Sequence, residues 1–187
     1  MSESSEERIA NDAGRFDWWG KARSRLWSKR SVGLEKVPPG ALLIGTFFYT
    51  GLSPVGSGTV GSMAAAAIYY FLHGLQNPIA LAIACIVVLI LGIWSGGVIE
   101  HTLKIQDPGI VVIDEVLGQW TALFTIHYAG NLTYIIISFL FFRIFDVLKV
   151  PPARYFERRE GGVGIMLDDV VAGVYALIAA HLVMLLF

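Results

Sequence analysis

The chain has 187 residues, 55% of them hydrophobic and only 16% charged, with a mean hydropathy of +0.63. A soluble domain carries about 25% charged residues, so the balance leans away from the cytosol, and it excludes a disordered or fibrous polypeptide. A single cysteine, Cys85, excludes a disulfide scaffold, and the formal net charge of -1 conceals a sharp segregation of charge along the chain.

The first 36 residues hold eight Lys or Arg and six Asp or Glu. Within Gly14–Arg30, a helical wheel places Phe16, Trp19, Ala22, Leu26 and Trp27 on one side and Lys21, Arg25 and Ser28 roughly opposite. That pattern suits a helix lying in a membrane interface with its tryptophans at headgroup depth, or else a basic tail. No apolar core follows the first charges at signal-peptide distance, so a cleaved leader is not expected. Pro38-Pro39-Gly40 ends this segment.

Beyond it, Val37–Ile99, Leu117–Phe142 and Val170–Phe187 contain no Asp, Glu, Lys or Arg. Such runs are membrane spans. Apolar stretches fall at about 41–50, 62–75, 79–99, 115–129, 132–149 and 169–187. A hydrocarbon core of ~30 Å needs about 20 helical residues, which only 79–99 supplies comfortably. The stretch 41–50 is too short to cross and is expected to be re-entrant or to lie on the surface. The expected fold is therefore an all-α polytopic membrane bundle of about five spans, with a re-entrant glycine-rich loop. Residues 1–39 form a separate charged, Trp-rich segment and residues 40–187 the embedded domain.

If 62–75 runs outward, the connections His73–Pro78 and Ala129–Asn131 and the C-terminus lie on the far side and carry no Lys or Arg. All fourteen basic and all fifteen acidic residues then fall on the near side, which the positive-inside rule makes cytoplasmic. Asn131-Leu132-Thr133 matches a glycosylation sequon, a weak signal in a tight turn.

Three chemically rich stretches converge on that side. Gly51–Ser62 reads GLSPVGSGTVGS, with glycines 56, 58 and 61 in G-x-G-x-x-G spacing. No βαβ unit follows, so a dinucleotide fold is excluded. Two readings remain: backbone N–H groups at a helix start that receive an anion, helped by the hydroxyls of Ser57, Thr59 and Ser62, or small residues that permit close helix packing. The second stretch carries Asp114-Glu115 at the start of a span, with Asp114 a candidate helix cap. The third, Phe141–Gly173, spaces Arg143, Asp146 and Lys149 three residues apart, so that they share a sector of one helix. Val150-Pro151-Pro152 stops that helix. Gly161, Gly162 and Gly164 read as a turn before Asp168 and Asp169, with Asp168 capping the last span and Asp169 in its first turn.

Five carboxylates at one membrane face (Asp114, Glu115, Asp146, Asp168 and Asp169) repel one another unless something joins them. A hard divalent cation with oxygen ligands does so, and Mg²⁺ combines one or two carboxylates with phosphate oxygens. Arg143 and Lys149 supply the positive groups that phosphate needs. Together with the glycine loop this is equipment for phosphoryl chemistry. Zinc is disfavoured, because His73, His127 and His181 fall within spans or on the far side and only His101 lies near the acids.

At these residues the sequence resembles phosphatidylglycerophosphatase A, the Mg²⁺-dependent lipid phosphatase of bacterial inner membranes. The resemblance runs from about Gly45 to Gly173 through GLSPVGSGTVGS, IDEVLG, FRIFDVLKVPP and GGVGIMLDDVVAG. Val150 departs from the proline typical of the family after the lysine. The resemblance implies hydrolysis of phosphatidylglycerophosphate to phosphatidylglycerol and phosphate at the cytoplasmic leaflet. It implies Mg²⁺ held first by Asp114, Asp168 and Asp169, with Glu115 and Asp146 as further ligands or general base. The terminal phosphate would be bound by Arg143, Lys149 and the loop residues Ser53, Gly56, Ser57, Gly58, Thr59, Gly61 and Ser62. The partners implied are the lipid substrate and the bilayer, with no nucleic acid. The alternative from another class is a small cation transporter or a noncatalytic membrane subunit, whose carboxylates would sit at mid-depth in broken helices.

Overall fold

The computed structural model describes residues 33–157 and 159–186. The interfacial segment expected within Gly14–Arg30 lies outside them. Among the described residues there are seven α-helices and no strand: α1 (Pro39–Gly45), α2 (Ser57–Phe71), α3 (Pro78–Leu103), α4 (Ile113–Ala122), α5 (Leu132–Leu148), α6 (Ala153–Glu157) and α7 (Gly162–Met184).

Pro39 opens α1 because its fixed φ suits a first helical position. The helix lasts seven residues, and the chain then reverses. Phe47, Phe48 and Tyr49 take φ of 43, 54 and 66°, three consecutive left-handed residues, none of them glycine. Thr46 stabilises the reversal, since its hydroxyl accepts from the Tyr49 N–H at 3.0 Å and donates to the Leu42 carbonyl at 2.7 Å. Farther back, the Val112 N–H donates to the Gly45 carbonyl at 2.9 Å. This ties the α1 hairpin to the loop that leads into α4.

The helices α3 and α7 are long and apolar enough to cross a membrane. They play different parts in the bundle. A stripe of α3 residues at three- and four-residue spacing (Ile79, Ile83, Ile86, Val87, Ile90 and Trp94) is exposed, whereas α7 is half enclosed and contacts α3, α4, α5 and α6. The innermost helix is α4, with eight of its ten residues buried. It is about 15 Å long at 1.5 Å per residue. The apolar stretch 115–129 therefore does not continue as one helix. After Ala122 the chain turns, and Thr125 bonds His181 of α7 at 3.1 Å while the Tyr134 hydroxyl bonds the other ring nitrogen at 3.0 Å.

Small residues let α4 and α7 cross closely. A Cβ on Gly173 would collide with the Gly118 carbonyl, and one on Gly118 would come within 2.8 Å of the Asp169 carbonyl. The same device starts α7 earlier than the glycine cluster suggests. Gly161, at φ 87°, is the cap; Gly162 lies inside the helix against the Ile93 carbonyl, and Gly164 lies against the carbonyls of Arg159 and Phe156. Asp168 is thus no cap, and Asp169 lies beyond the first turn. Asp114 is not a cap either: α4 is preceded by Val112, and Asp114 lies in its first turn. The caps that do form are Asn77, whose Oδ1 accepts from the N–H groups of Ile79 and Ala80, and Asn131, which accepts from Tyr134 at 3.1 Å. The sequon asparagine is a helix cap.

Candidate functional site

Four chain segments meet at one end of the bundle. The start of α2 brings Ser57 and Gly58, the start of α4 brings Asp114 and Glu115, the end of α5 brings Asp146 and Lys149, and the second turn of α7 brings Asp168 and Asp169. They line one cavity of about 120 Å³ together with Asp107, Gly109 and Val111. The Pro151-Pro152 stop works as the sequence suggests: α5 ends at Leu148, and Lys149 takes a left-handed φ of 47° as its C-cap. This turn swings the lysine toward α7, where its ammonium meets Asp168 Oδ2 at 2.6 Å.

Six carboxylates line the cavity, and two cations face them. Arg143 pairs with Glu115 and, at 3.1 Å, with Asp146. Its guanidinium also donates to Ser62 Oγ at 3.3 Å. The Ser62 hydroxyl is fully buried and lies 2.8 Å from the Gly58 carbonyl and 3.0 Å from Glu115 Oε2. Gly58 is glycine for a local reason, since any Cβ there would strike Glu115 Oε1 and come within 3.3 Å of Arg143. Gly61 similarly has Val112 3.0 Å from where its Cβ would stand. At these two positions the glycines serve close packing.

The oxygens that converge most tightly belong to Glu115, Asp146 and Asp169, which offer ligand atoms all within 4.8 Å of one another. Asp169 is 3% exposed, and its Oδ2 has no hydrogen-bond partner among the described residues. A buried, unpartnered carboxylate oxygen costs several kcal/mol unless a cation or proton meets it, roughly as for any buried ion. The donor set is all hard oxygen, with no sulfur or imidazole, and it fits Mg²⁺ or a similar ion. The remaining acids are engaged differently. Asp114 accepts from the Glu115 N–H at 2.9 Å, and Asp168 accepts from the Asp169 N–H at 3.0 Å and from Lys149.

Of the fourteen residues singled out in the sequence, Ser57, Gly58, Asp114, Glu115, Asp146, Lys149, Asp168 and Asp169 line the cavity. Arg143 and Ser62 stand behind Glu115. Gly56, at φ 58°, caps α2, Thr59 is exposed, and Ser53 bonds the Val55 carbonyl; with Gly61 these do not form its wall. Asp107 was missed in the sequence. It sits in a left-handed turn at φ 45°, and the Asp-Pro-Gly run 107–109 is the signal that marks it. Ser57 Oγ fixes the same turn by donating to the Gly109 carbonyl at 2.8 Å.

The sequence profile of phosphatidylglycerophosphatase A matches residues 43–184. A Bacteroides thetaiotaomicron protein provisionally named a phosphatidylinositol-3-phosphatase is 41% identical over 142 residues, 73% of this chain and 89% of its own. Proteins named phosphatidylglycerophosphatase A from Escherichia coli and Haemophilus influenzae are 37% and 34% identical over 137 residues each. These matches cover 71% and 73% of this chain, and 76% and 83% of the relatives. No solved structure matches the chain significantly.

Proposed function

The chain belongs to the phosphatidylglycerophosphatase A family, and on that premise we propose that it hydrolyses the terminal phosphomonoester of phosphatidylglycerophosphate, releasing phosphatidylglycerol and phosphate. The observation that carries the reading is the meeting of Glu115, Asp146 and Asp169 beside two cations, with one buried carboxylate oxygen left without a partner.

Mg²⁺ would be held by Glu115, Asp146 and Asp169, where it supplies Lewis-acid stabilisation of charge on the phosphoryl group. The first N–H groups of α2, at Ser57 and Gly58, have no intrahelical partner and face the cavity end, a natural seat for phosphate oxygens. Lys149, which lines the same cavity, adds a positive charge. Arg143 holds Glu115 and Asp146 in place and offsets their repulsion. Asp114, engaged through one oxygen by a backbone amide, is placed to take the proton of attacking water. Whether water attacks phosphorus directly or an aspartyl phosphate forms first is decided by hydroxylamine trapping.

Five segments traversing a bacterial inner membrane, with the α1 hairpin re-entrant and the acid end in the cytoplasm, complete the reading. Two apolar helices and the one-sided distribution of charge support it. The name of the Bacteroides relative favours a second substrate, a phosphoinositide monophosphate, attacked by the same chemistry. Phosphate release from both lipids in mixed micelles tests the choice. Turnover of phosphatidylglycerophosphate at least about tenfold faster, a difference of about 1.4 kcal/mol in the barrier, is expected. Preference for the inositol lipid would overturn the assignment.

A further inference from the structure

Beside the acid cavity lies a second, larger hollow that the reaction chemistry does not use. It is an open groove of about 660 Å³, formed where α3 ends and α7 begins. Its floor carries Gly97 and Gly161, and its walls carry Glu100, His101, Lys104 and Gln106. A narrow constriction shares Glu100 and Gln106 with the groove and Asp107 and Asp168 with the acid cavity. The two hollows are therefore neighbours, and the side chains of this closed seam, Arg159 and Ile165 among them, stand between them.

We propose that this groove is the subsite for the headgroup alcohol and phosphodiester of the lipid substrate, and that it sets headgroup specificity. The inference rests on the phosphatase reading above. Three observations carry it. The groove opens at the polar ends of α3 and α7, the two helices able to cross a membrane. It is continuous with the exposed α3 stripe Ile83, Ile86, Ile90 and Trp94, since Gly97 and His101 follow Trp94 at helical spacing on that face. A phospholipid with its acyl chains on the stripe brings its headgroup to the groove. Finally, Glu100 is fixed there with capacity to spare: its Oε1 accepts from the Gly161 N–H at 2.8 Å, while Oε2 is buried with no hydrogen-bond partner among the described residues. That oxygen is covered in the structure, so a headgroup hydroxyl satisfies it once the neighbouring side chains move aside. Lys104, held at the end of α3 by a left-handed φ of 54°, supplies positive charge for the phosphodiester, and the terminal phosphate is then directed toward the shared residues Asp107 and Asp168, whose neighbours in the seam move aside to admit it.

A lipid and a small phosphomonoester separate this role from catalysis. Glycerol 3-phosphate needs the acid cavity and makes no use of a seat for the diester. The full chain in detergent is assayed on both substrates as Lys104→Ala, Glu100→Gln and Gly97→Leu. A Cβ at Gly97 meets nothing closer than the Gly162 nitrogen at 3.4 Å, an ordinary contact, so the first atom of the leucine side chain is accommodated, and helical content and thermal stability are compared with wild type to show that the rest is. Lys104→Ala and Glu100→Gln are expected to raise KM for phosphatidylglycerophosphate by about tenfold, the loss of one hydrogen bond to a charged group, and Gly97→Leu to raise it at least as much by occupying the groove, with kcat/KM for glycerol 3-phosphate changed less than about twofold in all three. Glu100→Gln is further expected to narrow the preference for glycerol over inositol headgroups. Equal losses on both substrates, or no loss on the lipid, would overturn the subsite. Wild-type protein that hydrolyses neither would overturn the phosphatase reading itself.

Discussion

In the proposed chemistry Asp169 is the residue that counts most. Its buried, unpartnered oxygen distinguishes it from Asp168, which differs by one position and is tied to Lys149. Asp169→Asn keeps shape and removes charge, so kcat is expected to fall by at least about a thousandfold, of the order seen when one charge-stabilising group is removed, with an unchanged elution profile and helical content. Near-normal turnover in folded protein would remove Asp169 from the site. Ser62 acts one step back, through Glu115. Ser62→Ala is expected to raise the Mg²⁺ concentration for half-maximal rate about 10- to 100-fold, as for other groups that orient metal ligands, with much of the rate restored at saturating metal. At this scale the sequence picked out five of the six acids that line the cavity, but not which of them converge most tightly. Adjacent acids in a helix point in different directions, so Asp114-Glu115 and Asp168-Asp169 each contribute one member to the tight trio. That choice depends on helix rotation, which is set by tertiary packing.

The helices are where sequence reading both succeeded and failed. The break after Lys149 was legible because proline acts locally. The early start of α7 was not, because Gly162 and Gly164 read as a turn until neighbouring carbonyls are known to press on them. The short reach of α4 was equally hidden, since Leu123–Tyr128 is apolar enough to prolong a helix and is diverted by contacts with α5 and α7. The crossing of α4 and α7 through Gly118 and Gly173 holds Glu115 and Asp169 together. Gly173→Ala is expected to lower stability by about 1–3 kcal/mol, the usual cost of overpacking, and to lower activity with it, as read by SDS-induced unfolding and phosphate release in parallel. Asn131 lies at the opposite end of α5 and supplies the contrasting case. Asn131→Ala should cost about 1 kcal/mol as a lost helix cap and leave kcat within about twofold.

For the bundle as a whole, the telling feature is that six carboxylates, Arg143 and Lys149 gather at one end of it among the described residues, which favours the proposed catalyst working on a headgroup at a membrane surface. A transport path would place its carboxylates at mid-depth. The proposed orientation rests on charge and is checked by labelling single cysteines at Gly74, exposed in the turn before α3, and at Glu160 before α7, in a Cys85→Ala background. Impermeant maleimide is expected to label Gly74→Cys in spheroplasts and Glu160→Cys only after lysis; the reverse would invert the topology. The central claim, that the carboxylate cavity hydrolyses a lipid phosphomonoester with a bound divalent cation, is tested most directly by phosphate release. Purified protein is given phosphatidylglycerophosphate in micelles with Mg²⁺, with chelator, and with Mg²⁺ restored. Release is expected to stop with chelator, to return with Mg²⁺ and to be absent in Asp169→Asn. Release that persists in chelator, or none from folded wild-type protein with Mg²⁺, would contradict that claim.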